Sequence, residues 1–225
     1  MELSTRDLIL LKLVGTFIQL SSTHITEELF SDRSHTVPDK VLKRLVQRQF
    51  LTVVGRRASG DKGGAGPFVY RLGRYGRSLL GVEGRQSARM NDHALMIADT
   101  FTALRRAEAA GLLRITEWEV ERPVQTVRAD LFVAVEYPAQ ERRSQYYLEI
   151  DTGSEWERQI REKLDGYWRA AQADEAEYFP YVVFVVKRPE RQAELLRFIR
   201  RIPEDQQEMV RVFLLAELIP HLLAL

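Results

Sequence analysis

The sequence predicts an α/β (α+β) chain in two parts, and three observations predict it. Up to residue 82 the apolar pattern runs helix, helix, basic helix, hairpin. From residue 92 it runs helix, three strands, helix, strand, helix, strand, an order that implies a mixed sheet flanked by helices. Charge divides in the same way: residues 1–90 hold 15 Lys+Arg against 8 Asp+Glu, and residues 91–225 hold 18 against 24. A part at +7 is thus joined to one at −6, giving the overall +1, and a basic segment of this kind suggests a polyanionic partner. The length of 225 residues accommodates two small domains, expected at 1–82 and 92–225 with a polar, glycine-containing linker between them.

In the first part, Leu8, Ile9, Leu11, Leu13, Val14, Phe17 and Ile18 follow the spacing of a core helix. Ser22 or Thr23 is placed to cap a short second helix reaching Phe30. Thr36 caps a third, with Pro38 in its first turn, where a missing N–H costs nothing. Val41, Leu42, Leu45 and Val46 point inward, which leaves Lys40, Lys43, Arg44, Gln47 and Arg48 as the outer face. Two strands, 50–54 and 68–72, enclose the glycine-rich basic loop 55–66 with Arg56, Arg57 and Lys62. The loop lacks a GKS or GKT and sits between antiparallel strands, which argues against a phosphate-cradling P-loop. Helix, helix, basic helix, hairpin is the order of a winged helix-turn-helix, whose third helix enters the major groove of double-stranded DNA while the hairpin reaches the backbone. Lys40, Lys43, Arg44, Gln47, Arg48, Arg56, Arg57 and Lys62 are therefore the candidate DNA contacts. A protein-binding winged helix is the competing reading, and the basic third helix argues against it.

In the second part a helix is expected over 92–110, then strands at 113–120, 128–135 and 145–151. A helix over 155–171 follows, with Trp156, Ile160, Leu164, Tyr167 and Trp168 on one face. Tyr181 to Val186 reads as a strand buried on both faces, 190–201 as an amphipathic helix and 209–215 as a last strand. The apolar tail 214–225 suits either a dimer interface or the core.

Composition removes several functions. With no cysteine there is no disulfide, thiolate metal site or cysteine nucleophile, which suits a reducing cytoplasm. No apolar run approaches the roughly 20 residues of a bilayer crossing, so no membrane association is expected. Gly153-Ser154 lacks a G-x-S-x-G elbow, and no His/Asp/Glu spacing suggests zinc.

The chemistry concentrates in Tyr147-Leu-Glu-Ile-Asp-Thr-Gly-Ser-Glu155. Alternation on a strand puts Glu149 and Asp151 on one face and Ile150 on the other. Asp130 opens the neighbouring apolar run, and Lys163 lies two helical turns beyond Glu155. Asp130, Glu149 and the Ile150 carbonyl make an oxygen set of the kind Mg²⁺ or Mn²⁺ takes, and such an ion can activate water and neutralise a phosphate. Asp130, Glu149, Asp151 and Lys163 are the candidate catalytic residues. The competing reading is structural: Asp130 capping a strand or pairing with Arg128, and Glu149 and Asp151 forming a salt-bridge ladder with Arg128 or Lys163.

These residues carry a resemblance. Asp130, then Glu149-Ile-Asp151, on an αβββαβ order, resembles the PD-(D/E)XK nuclease superfamily, with two departures: Ala129 replaces the proline and Asp151 the lysine of that pattern. Some members move the lysine to the following helix, where Lys163 stands. More of the chain is similar to the replication-relaxation family, through Tyr70-Arg-Leu-Gly-Arg-Tyr-Gly76, His93, Trp118, Glu121, Arg128-Ala-Asp130, Leu148 to Glu155 and Lys163-Leu-Asp-Gly-Tyr167. That resemblance implies a DNA-binding protein of a plasmid or other mobile element, acting in replication or transfer initiation. Two functions are compatible with it. One is a DNA-binding protein whose nuclease-like domain cleaves or nicks with a divalent metal. The other is a non-catalytic dimeric regulator whose nuclease-like domain serves assembly.

Overall fold

A computed structural model of the chain describes residues 2–34, 36–58, 65–83, 87–173 and 178–225. It divides into two compact units, Met1–Thr102 and Ala103–Leu225.

In the first unit, α1 (Thr5–Thr16) begins at a capping box: the Asp7 N–H donates to Ser4 Oγ at 3.2 Å and the Ser4 N–H to Asp7 Oδ2 at 2.9 Å. A two-residue strand, β1 (Leu20–Ser21), leads into α2 (Ser22–Leu29). Helix α3 (Thr36–Gln47) follows, then β2 (Leu51–Arg56) and β3 (Phe68–Leu72), an antiparallel hairpin. Strand β1 adds to the far side of β3, giving the order β1-β3-β2. Leu10, Leu11, Val14, Ile25, Leu42, Leu45, Leu51, Val69 and Leu72 fill the core between helices and hairpin. Helix α4 (Arg74–Leu80) and then α5 (Asp92–Ala109) come next. The division at Thr102 falls inside α5, so 92–102, expected to open the second domain, belong to the first unit, where Phe101 packs its ring 5.3 Å from that of Phe17.

The second unit is built on one five-stranded mixed sheet. Strands β4 (Arg114–Val124), β5 (Val127–Tyr137) and β6 (Arg142–Asp151) are antiparallel neighbours. Strand β7 (Tyr181–Val186) lies parallel to β6, and β8 (Val210–Leu214) parallel to β7, in the order β4-β5-β6-β7-β8. Parallel neighbours need crossovers. Helix α6 (Glu157–Ala173) makes the first; α7 (Pro189–Ile199) and the short α8 (Glu204–Glu208) make the second. Both long helices share a core with one face of the sheet, through Ile160, Leu164, Tyr167, Leu195 and Phe198 against Val182, Phe184, Val186, Val210 and Val212. Val182 to Val186 are all fully buried, as an uninterrupted apolar strand requires. The tail forms α9 (Leu218–Ala224), whose Leu218 and Leu222 are fully buried, so this part of it completes the core. Among the described residues, no helix is long and apolar enough to cross a membrane.

Helix α6 sits close over the sheet because position 166 has no side chain. A Cβ built on Gly166 would lie 2.1 Å from Val127 Cγ1, a β-branched group with little freedom to move away. Gly166→Ala is therefore expected to lower stability by about 1–3 kcal/mol, the usual cost of overpacking. Urea denaturation checks this, with Val127→Ala in the same chain recovering most of the loss; a second substitution that recovers nothing would show that the contact is not the cause.

Candidate functional site

Alternation along β6 turns Tyr147, Glu149 and Asp151 toward the α6–α7 face and Leu148 and Ile150 the other way. The backbone pairing of β5 with β6 ends at Leu131 and Leu148. Beyond it the Asp130 carboxylate continues the ladder: its Oδ2 accepts the Ile150 N–H at 2.7 Å. Asp130 is thereby fixed at the mouth of the sheet, 8% exposed, beside Glu149 at 1%.

Glu149 meets two side chains one turn apart on α6. Lys163 Nζ donates to Glu149 Oε2 at 2.6 Å and to Glu155 Oε1 at 3.0 Å. The Tyr167 hydroxyl donates to Glu149 Oε1. Burial, and after it the charge of Asp130, pushes the Glu149 carboxyl up to about 8, against the downward pull of Lys163 and Tyr167. Burial works against the Lys163 charge, but Glu149, Asp130 and Glu155 outweigh it and raise its pKa. Burial and then Glu149 raise the Tyr167 phenol as well. Burial and Asp130 thus favour the neutral acid at Glu149, while Lys163 and Tyr167 favour the carboxylate.

Asp151 belongs to another set, although it shares the face of Glu149. Its Oδ2 accepts from Arg191 Nε at 3.0 Å and Nη2 at 2.8 Å, and its Oδ1 accepts the Gly153 N–H at 2.5 Å. Arg191 Nη2 also donates to the Glu155 carbonyl at 2.7 Å. Arg191 thus ties α7 to the loop 152–156 that follows β6. The structure brings together Asp130, Glu149 and Lys163 from the sequence-expected set, adds Tyr167 and Glu155, and assigns Asp151 to the arginine. Tyr167 lies in the core, as the apolar face of its helix implies, with its hydroxyl turned to Glu149; Arg191 has no role legible in the sequence. The signal for Tyr167 was its spacing four residues beyond Lys163; nothing local marks Arg191.

Among the described residues, no three acidic or histidine side chains are arranged to hold a metal ion. Asp130, Glu149 and the Ile150 carbonyl remain as the oxygen set expected from sequence. As arranged, this set does not fit a divalent cation: both Glu149 oxygens are engaged, and the Lys163 ammonium holds the position beside Oε2.

The candidate DNA contacts separate in the same way. Lys40, Lys43 and Gln47 lie exposed on α3. Arg56 is exposed at the hairpin, its guanidinium 3.8 Å from the centre of the Phe68 ring. Arg44 Nη2 donates to the buried Asp7 carboxylate at 2.5 Å, and Arg48 lies over Phe50. Arg57 holds Asp99 through two hydrogen bonds of 2.7 and 2.8 Å, and His24 Nε2 reaches the same carboxylate at 2.8 Å. Arg44 and Arg57 are therefore engaged in holding the unit together, and Arg48 packs on a ring. Lys62 lies outside the described residues.

The family model described as replication-relaxation matches residues 11–182. No curated protein and no solved structure matched the chain significantly.

Proposed function

The chain belongs to the replication-relaxation family, which points to a role in replication or relaxation, and from that premise we propose that it binds double-stranded DNA through its first unit, at a replication or transfer origin of a mobile element. The observation that carries this reading is the outer face of α3. Lys40, Lys43 and Gln47 stand one turn apart on the exposed side of a helix whose other side, Leu42 and Leu45, is fully buried. The hairpin β2–β3 follows it with Arg56 exposed. Helix, helix, helix and hairpin in this order support a winged helix-turn-helix, with α3 in the major groove and Arg56 at the backbone, where contacts set register more than sequence. Titrating the chain with duplex DNA over a salt series tests it. Affinity that falls log-linearly with salt is the expected result, and no binding, or binding indifferent to salt, overturns it.

For the second unit the arrangement supports an assembly or partner-binding module of PD-(D/E)XK-like order. Glu149 is closed off by Lys163 and Tyr167, and Asp151 is committed to Arg191. One observation favours cleavage instead: Asp130, Glu149 and Lys163 meet at the end of β6, in the order of the nuclease pattern. Incubation with supercoiled and nicked DNA in Mg²⁺ or Mn²⁺ separates the readings. The module predicts no cutting. Cutting abolished by Asp130→Ala and by Glu149→Ala would establish the nuclease, and cutting that survives both would remove these residues from it.

A further inference from the structure

The sequence places Trp156 on the apolar face of the helix after β6, as a core or interface aromatic. It is instead 78% exposed, far more than any other large apolar side chain among the described residues. Its backbone is held: the Trp156 N–H donates to Gln159 Oε1 at 2.8 Å, and its carbonyl accepts from Gln159 N–H at 2.9 Å and Ile160 N–H at 3.2 Å. The preceding loop is equally restrained, through the Asp151–Gly153 hydrogen bond and the grip of Arg191 on the Glu155 carbonyl. A fixed backbone therefore presents a bare indole to water, with no ring or cation from the described residues lying on it.

The topology gathers cations at the end of the sheet from which the Trp156 loop emerges. Strands β6 and β7 are parallel, with Asp151 paired to Val186, so the loop 152–156 and the residues after β7 leave the sheet at the same end. Those residues are Lys187 and Arg188, both exposed. Arg188 lies against Gly153: a Cβ on that glycine, whose φ is +91°, would stand 2.8 Å from Arg188 Nη2. Strand β5 starts at this end too and carries Arg128, 62% exposed and 3.9 Å from Glu121.

We infer that this end of the sheet is a binding site for single-stranded DNA, with Trp156 stacking on an unpaired base while Arg188 and Lys187 hold the adjoining phosphates. An aromatic platform beside a cationic rim is the combination that binds single strands without regard to sequence, because every base has a π-face. In a duplex both faces of an internal base are already stacked, so the indole selects DNA that is melted, frayed or nicked. The inference rests on the reading of the chain as a DNA-binding protein, but it concerns a different surface and needs no cleavage chemistry.

Fluorescence anisotropy of the full chain with a labelled oligothymidylate of about 16 nucleotides, the upper end of a typical single-strand site, tests it against a duplex probe. Trp156→Ala is expected to weaken single-strand binding about 5- to 150-fold, the contribution of stacking one base, with Trp156→Phe retaining most of the affinity. Arg188→Glu should weaken it as well and flatten its salt dependence, and neither change should alter duplex binding through α3. Single-strand affinity unchanged in Trp156→Ala overturns the inference, as does an equal loss on both probes. If the duplex still binds through Lys40 and Lys43, only the stacking site falls; if the chain binds neither probe, the DNA reading falls with it. Because Trp156 is exposed, its variants should unfold at the wild-type denaturant concentration, which keeps a folding defect distinguishable.

Discussion

Reversing two charges, in Lys40→Glu/Lys43→Glu, should lower duplex affinity by more than tenfold at moderate salt. Each phosphate neutralised by a protein cation releases condensed counterions, and the slope of log affinity against log salt is about −0.9 per contact on B-form DNA. Losing two contacts should therefore flatten the slope by about 2, and the two new carboxylates add repulsion. Both lysines are exposed on α3, and neither is needed by the core that Leu42 and Leu45 form, so the variant should fold normally. Arg44→Ala is the informative contrast. Its guanidinium serves Asp7, which is 1% exposed. Removing it leaves a buried carboxylate without its cation and should cost stability, with a smaller change in salt slope. Anisotropy over a salt series, with denaturation of the same proteins, reads both effects. A salt slope unchanged in the double variant would exclude α3 as the contact face.

The second large effect is expected at Glu149. A carboxyl whose folded pKa lies above its unfolded value holds its proton more tightly in the native state. Its contribution is fully present below the ordinary value of 4.5 and is lost as the pH rises through about 8. The wild type should therefore lose more stability between pH 5 and pH 8.5 than Glu149→Gln, which has nothing to titrate there. Lys163→Met takes away the cation that meets the ionised form, at a site where Glu149 is 1% and Lys163 20% exposed. Breaking a buried pair in this way costs about 3–5 kcal/mol. The loss should be greatest at alkaline pH, and smaller near pH 5, where Glu149 shelters as the neutral acid. Denaturant midpoints of the three proteins across that range check the pattern. Parallel profiles for wild type and Glu149→Gln would show that Glu149 does not titrate as described.

These two sites show what a sequence does and does not disclose. Helices α3, α6 and α7 are legible because burial of one face imposes a period on the apolar residues, and strand β7 because burial of both faces makes it a short continuous apolar run. Strand β1 is two residues long and exists only because β3 pairs with it, so no local pattern marks it. The tail was open between core and interface because both demand the same apolar composition; burial of Leu218 and Leu222 resolves it for those residues. Arginines present the same difficulty in charged form. On a helical wheel Arg44 is as much an outer-face residue as Lys43, yet Asp7 lies 37 positions away and claims it. Arg57 is claimed from 42 positions away by Asp99, and Asp151 from 40 by Arg191. Glu149 and Lys163 were legible because a strand, a short loop and two turns of helix fix where one stands relative to the other.

Strand β4 has a consequence for the whole molecule. It ends the five-stranded sheet, and the side chains of Glu117, Glu119 and Glu121 are all exposed along it. Arg122 reaches Glu117 and Glu119, and Arg114 reaches Glu136. A strand from another copy could align there only by stripping water from this row of charges and breaking its pairs. The chain thus carries its own deterrent against open-ended stacking, written into the strand where a β-sheet protein is most exposed to its neighbours.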